Sequence, residues 1–306
     1  MKSLLLLTVG LLMALSACSA DNGASEVTPL QIGLMPTMDS VVIATAYELG
    51  LFDAHGVAVE LIPFSSARDR DAAFLARTLD GATVDLIAVA LYNEGGAFAR
   101  ATSVTTAHFT LIAQSDYTSL ASLQDATVMI SYHTAIDFIM DQMLHFYDLP
   151  IDYIRREEVG NIPARFEMVR AGLADAALIS EPFATMAAFY GLSVITDTFS
   201  IDFNPLALAF SLETIENRSD DLRNFYLAYA EAVAFLNTSP VDQYLDMIID
   251  LIGFPDDVIY HLELPTFLSP AVPDDQLVEA AISWLRSKDL ISIDVTKEDL
   301  IYNLWE

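Results

Sequence analysis

A chain of 306 residues with 54% apolar side chains has the material for two globular domains of ordinary size. Its formal charge of −29 sets 14 Lys and Arg against 43 Asp and Glu, with lysine only at positions 2, 288 and 297. A polyanionic surface of that kind repels phosphate backbones and anionic lipid, which speaks against nucleic acid as a partner.

Residues 1–17 read as a leader: Lys2 supplies the charge, the apolar run is too short to span comfortably, and small residues precede Cys18. The tetrapeptide LSAC, ending at Cys18, resembles a bacterial lipobox, in which the cysteine sulfur is acylated and becomes the new N-terminus. The alternative is a plain secretory signal with an incidental cysteine. Cys18 is the only cysteine, so there is no disulfide within the chain and no cysteine-based metal site to propose. Residues 18–28, small and polar, read as a flexible tether. No later segment offers about 18 apolar residues free of charge, so the expectation is a membrane partner reached through the lipid alone. That places the protein outside the cytoplasm, on the bacterial cell membrane, in the periplasm or on the outer surface.

The folded part opens with LQIGLMP, whose flanking Gly and Pro favour a buried strand. TMDSVVIATAYELGLFDAHG follows with apolar positions at helical spacing and Gly50 and Gly56 as stops. VAVELIPF alternates as a strand does, SSARDRDAAFLARTLDG reads as a helix, and VDLIAVAL (84–91) as a third strand. The same order recurs: ATVMIS strand, YHTAIDFIMDQMLHFYDLP helix, IDYIRREEV strand, IPARFEMVRAGLA helix, DAALIS strand. Two stretches echo one another most closely, LDGATVDLIAVAL at 79–91 and AGLADAALISEPF at 171–183. Strand–helix alternation twice over predicts an α/β protein with two lobes of mostly parallel sheet flanked by helices.

Beyond the strand-like LALAFSLETI the chain is mostly helical, and its apolar stripes suit packing on an existing core. The first lobe is the natural host. The expected division is 29–114 with 205–306 as lobe 1 and 115–204 as lobe 2, joined by a two-strand hinge at 113–120 and 199–206, with a cleft between.

The order of elements, GLFDAHGVAVELIPF, SLQDATVMISYHTAIDFIMDQML, MVRAGLADAALISEPF and the ending SWLRSKDLI…DLIYNLW together resemble the solute-binding proteins of ABC importers. The branch is the type II periplasmic-binding group that takes up sulfonates, nitrate and pyrimidine precursors of thiamine. That resemblance implies a bilobal lipoprotein, acting as a monomer, that closes over a small-molecule solute and delivers it to an ABC transporter permease. It implies no catalytic residue, metal or cofactor.

In open α/β sheets ligands bind where strand carboxyl ends run into helix N-termini. The pattern puts such loops at Met35–Ser40, Phe64–Arg68 and Leu91–Asn93 in the first lobe. In the second they are Ser131–Ala135, Gly160–Asn161 and Ser180–Phe183, with Asp202–Asn204 at the second crossing. Candidate ligand contacts are therefore Met38, Asp39, Phe64, Ser65, Ser66, Arg68, Tyr92, Asn93, Ser131, Tyr132, His133, Thr134, Asn161, Glu181, Phe183, Phe203 and Asn204. The serines and threonines also suit helix N-caps, and the N–H groups beside a cap can accept ligand oxygens. Arg68 can hold a carboxylate or sulfonate, or simply pair with its acidic neighbours. The five aromatic residues suggest a ring-bearing solute, heterocyclic or pyrimidine-like; packing in the core is the plain alternative. Glu181 can reach inward from a strand that Pro182 ends, toward a ligand amine or to brace the hinge.

Two other functions share the pattern: an enzyme on the same fold, of the pyrimidine-precursor or menaquinone-pathway type, and a sensory lipoprotein without transport. The lipobox and the absence of any nucleophile–base pair in sequence argue against the enzyme.

Overall fold

The computed structural model describes residues 28–106, 108–252, 261, 262, 264–291 and 295–305. The expected leader, Cys18 and nearly all of the expected tether lie outside the described residues. The chain runs through β1 (Leu30–Leu34), α1 (Met38–Glu48), α2 (Leu51–Ala54), β2 (Val59–Pro63), α3 (Ala67–Leu75), β3 (Gly81–Asp85), α4 (Leu86–Glu94) and β4 (Ala99–Val104). It then forms β5 (Phe109–Ala113), β6 (Thr127–Ile130), α5 (Ala135–Phe146), β7 (Arg155–Glu158), α6 (Ile162–Arg170), β8 (Ala176–Ser180), α7 (Phe183–Phe189) and β9 (Ser193–Asp197). It returns through β10 (Leu206–Ser211) to α8 (Leu212–Asn217), α9 (Ser219–Thr238), α10 (Leu245–Ile252) and α11 (Asp275–Ser287).

The strands make two five-stranded sheets, ordered β2-β1-β3-β10-β4 and β7-β6-β8-β5-β9. In each, the strand–helix–strand repeat gives the parallel half: β1 with β2 and β3, β6 with β7 and β8. The other half is antiparallel, because β10 and β5 enter from the opposite lobe and run against their neighbours. The sheets are thus mixed, and each owes a central strand to a hinge crossing.

The sequence echo has a specific structural meaning. Asp80, just before β3, donates its backbone N–H to Gln31 O at 2.9 Å and accepts the Gln31 N–H on its carboxylate at 2.8 Å. Asp175, just before β8, does the same to Thr127 at 2.7 Å. Each aspartate clamps the start of its lobe's first strand and so fixes the parallel register beside it. The two glycines, by contrast, are not equivalent. Gly172 lies at φ +70 in the turn after α6, where a side chain is strained. Gly81 lies within β3 against β10, where a Cβ would come within 2.5 Å of the Phe210 ring.

Two expectations are corrected. The run at 84–91 is a strand only as far as Asp85, whose carboxylate accepts the Ala88 N–H at 2.8 Å and starts α4. A buried apolar run carries no period, so only this cap distinguishes helix from strand. Leu91–Asn93 is therefore the end of a helix rather than a strand-end loop. The first crossing also comes earlier than 113–120. β5 is paired on both sides within the second sheet, so the chain changes lobes between Val104 and Phe109.

The crossings are bonded to each other. Thr105 N–H donates to Leu206 O at 3.3 Å, and the Asn204 amide bridges Thr105 O and Leu206 N–H at 2.8 and 3.1 Å. In α9, buried residues at Leu222, Phe225, Tyr226, Tyr229, Val233 and Leu236 recur at helical spacing and pack on α1 and α2. α11 packs on α4. The C-terminal helices thus cover the first lobe.

The lobes are closed on one another. One apolar cluster runs from Met35 and Met38 in the first lobe to Ile162 and Phe166 in the second. On the far side Phe138 of α5 packs against Trp284 of α11, with ring centres 5.2 Å apart. The Trp284 Nε1 donates to Asp141 at 2.7 Å, and Asp141 also takes Lys288 Nζ at 2.7 Å and Arg156 Nη2 at 2.5 Å.

Candidate functional site

The carboxyl ends of β1, β3, β6 and β7 meet around a cavity of about 50 Å³. Met35, Thr37 and Asp39 line it after β1, Ala67 and Arg70 from α3, and Thr83, Val84 and Asp85 from β3. The second lobe contributes Phe109, Ser131, Thr134, Ala135, Ile136, Gly160, Ile162 and Arg165, and Leu206 closes the hinge side. The rim is sealed by contacts between lobes. Ser66 bridges Asn161, Ile162 N–H donates to Ser65 O at 3.5 Å, and Arg68 meets Glu158 at 3.5 Å.

Burial sets the charges. Asp39 is 2% exposed; desolvation pushes its carboxyl up to about 6, against the opposing pull of the Thr37 hydroxyl that donates to it and of Arg70. Arg70 bonds Asp71 through Nε and Nη2 at 3.0 and 2.7 Å and donates to Thr83 O at 2.9 Å. Its Nη2 lies 4.0 Å from Asp85. Burial works to lower its pKa, yet Asp71, Tyr92 and Asp85 hold it above the usual guanidinium range. Asp85 is raised by burial, against the opposing pull of Arg70 and of the Ala88 N–H that it accepts. Arg70 is thus fully engaged in holding its own lobe together.

Arg165 is different. It is 2% exposed, it lines the cavity, and its Nε and Nη1 have no partner. Burial lowers its pKa to about 10, with only the more distant Glu158 opposing. Glu158 is already engaged by the Tyr132 N–H at 2.6 Å and by Arg68.

Among the residues singled out in sequence, Asp39, Ser131 and Thr134 line the cavity. Ser65, Ser66, Arg68 and Asn161 form the rim, with Ser66 and Asn161 also capping α3 and α6. The others lie elsewhere. Met38 is in the first-lobe core and Phe183 packs on Phe166 at 5.7 Å. Tyr92 stacks on Phe74 at 4.3 Å and donates to Asp71, while Asn93 donates to three backbone carbonyls. Phe64 packs between two core clusters, and Phe203 meets Phe138 edge-on at 5.0 Å. Tyr132 and His133 are exposed, and Asn204 braces the hinge. Glu181, after its cis bond to Pro182, accepts the Thr185 N–H at 3.0 Å. It faces His108 at 3.9 Å in a separate groove of about 620 Å³ that also holds Asp197 and Phe199. The five aromatic side chains build core and outer face rather than a wall for a ring.

Arg70 and Arg165 were missed because each sits inside a helix, not in a strand-end loop. A signal existed for Arg165: with Ile162, Phe166 and Val169 it occupies the buried stripe of α6, where a charge is anomalous. Among the described residues no group of three or more His, Cys, Asp or Glu could hold a metal ion, and no helix is long and apolar enough to cross a membrane.

A model of the NMT1-like family matches residues 23–247. No curated protein matches the chain. Among solved structures, the periplasmic aliphatic sulphonate binding protein SsuA from Escherichia coli matches with a TM-score of 0.76 at 16% identity, over 90% of this chain and 97% of that one. The zinc-bound ligand-binding component of an ABC-type import system from Staphylococcus aureus gives 0.77 at 13%, over 91% and 98%. The periplasmic nitrate-binding protein NrtA from Synechocystis PCC 6803 gives 0.72 at 11%, over 92% and 88%. At these identities the likeness is one of fold.

Proposed function

The chain belongs to the NMT1-like family, and from that premise we propose that it is an extracytoplasmic solute-binding protein, lipid-anchored at Cys18, that serves an ABC importer. Its two lobes close over a small solute, and the closed form docks on a membrane permease that opens it and receives the cargo. The observation that carries this reading is the cavity between the lobes, lined by strand carboxyl ends from both. A molecule held there touches both lobes at once, so its binding energy is spent on closure, and closure is the signal a permease can read.

The lining also supports binding over catalysis. It carries threonines, a serine, two aspartates and two arginines but neither His nor Cys, and its unpartnered donors, Nε and Nη1 of Arg165, belong to a guanidinium, which is a poor nucleophile or base. The absence of an aromatic wall favours a compact polar solute over the ring-bearing one suggested by sequence.

Native mass spectrometry of the chain purified without denaturation tests this. The expected result is a co-purified small molecule that is lost on unfolding and does not return on refolding. A protein that carries none, and whose melting temperature no small anion, neutral solute or amine moves, is not a solute-binding protein.

A further inference from the structure

Every charged group at the cavity but one is answered by the protein itself. Arg70 has Asp71 and Thr83 O, and Asp85 has the Ala88 N–H and lies 4.0 Å from Arg70. Asp39 has the Thr37 hydroxyl. Several of the backbone donors at the starts of α5 and α6 are taken as well. Ile136 N–H goes to Thr134 Oγ1 and Ala164 N–H to Asn161 Oδ1, each at about 3 Å, and Ile162 N–H goes to Ser65 O. The starts of α5 and α6 therefore offer a ligand fewer donors than the sequence leads one to expect. What remains is Arg165, with two N–H groups directed at nothing in the described structure.

A guanidinium withdrawn from water without an anion is costly, and Arg recognises carboxylates and sulfonates through its paired N–H groups. The space beside it is small. One water needs roughly 10–15 Å³ of such volume, so about 50 Å³ admits only a few water-sized groups.

We propose that the cavity takes a small organic monoanion, a carboxylate or sulfonate of about one to three carbons, whose oxygens accept from Nε and Nη1 of Arg165. The proposal rests on the solute-binding reading and narrows its cargo. Glu158 does not compete for Arg165, since it is committed to Arg68 and the Tyr132 N–H at the rim. Asp39 and Asp85, the anions nearest the guest, limit it to a single negative charge, because a second would face them without a cation of its own. Arg165 is in this view the residue that sets ligand charge, and it belongs to the guest rather than to the fold.

The test pairs each anion with a neutral isostere. Melting temperature and calorimetric titration are followed for the full chain with acetate and methanesulfonate, with acetamide and dimethyl sulfone, and with methylamine. The anions are expected to raise the melting temperature with rising concentration and the isosteres not to. Acetate against methanesulfonate separates the two headgroups. Arg165→Met is expected to weaken the anion response at least about 30-fold, and Arg165→Lys to retain part of it. Arg165→Met is also expected to raise the melting temperature of the ligand-free protein by about 2–5 °C, since it removes an unanswered buried charge. An Arg165→Met protein that melts lower or fails to fold marks Arg165 as structural and overturns the proposal. Binding of acetamide or methylamine with the anions silent overturns it too, while leaving the solute-binding reading intact. Silence to all five probes, with loss of stability in Arg165→Met, overturns both.

Discussion

Replacing Asp39 by asparagine removes a charge from the most enclosed acid of the first lobe without changing its shape. The amide oxygen still accepts from the Thr37 hydroxyl, so the hydrogen bond that holds the side chain survives. Burial lifts the Asp39 carboxyl from 3.8 to about 6, so between those values the native protein binds a proton that the unfolded chain has released. The stability this contributes is fully present below pH 3.8 and is lost as pH rises through 6. The gap corresponds to about 3 kcal/mol, of which about 2 kcal/mol falls between roughly pH 4.5 and pH 8. Asparagine does not titrate. Relative to wild type, Asp39→Asn should therefore gain about 2 kcal/mol across that range. Urea unfolding of both proteins at several pH values reads the difference directly, and the other carboxylates cancel because they are common to both. Curves that stay parallel from pH 4.5 to 8, or an Asp39→Asn protein less stable at the alkaline end, would show that Asp39 is not desolvated in the folded state.

Arg70 and Arg165 should respond to the same substitution with opposite sign. Arg70→Met strands Asp71 and Asp85 and is expected to cost about 3–5 kcal/mol in urea unfolding, against the gain expected for Arg165→Met; two losses of similar size would refute the distinction. Asp141→Asn should cost about 3 kcal/mol and shift Trp284 emission to the red, because it removes the charge that answers Lys288 and Arg156 and leaves one oxygen where three donors had two; unchanged emission would mean that the tryptophan does not report on the contact between lobes. Gly81→Ala drives a methyl group into the Phe210 ring and is expected to cost about 1–3 kcal/mol. Adding Phe210→Leu should recover part of that loss, and simple additivity of the two costs would place the strain elsewhere.

The parallel half of each lobe was legible because local signals agree there. Hydrophobic runs, glycine stops and cap residues recur in one order, and the paired aspartates at 80 and 175 sit at the same structural point. The antiparallel half was legible only at β10, whose LALAFS run reads as a strand. β4 is ARATSV, short and half polar, and its partner β10 lies about a hundred residues away, so nothing local marks it as a strand. Partners distant in sequence likewise hid β5 and β9 and displaced the expected first crossing. At the site, Asp39, Ser131 and Thr134 could be found because loops after strands are where this topology opens. Strand-end position does not say whether a side chain turns to the cavity or to the core, and for Phe64, Tyr92, Phe183 and Phe203 apolar packing decided it. A buried arginine could be read only as a charge out of place on a helix stripe, as at Arg165.

The interleaving of β10 has a consequence for assembly. Everything the second sheet needs lies between Phe109 and Asp197, whereas the first sheet keeps an empty slot between β3 and β4 until Leu206–Ser211 arrives. A polypeptide emerging amino end first therefore completes its later half before its earlier one. Until then the facing edges of β3 and β4 stay unpaired, so the earlier half of the chain waits with two open strand edges that are exposed to wrong partners.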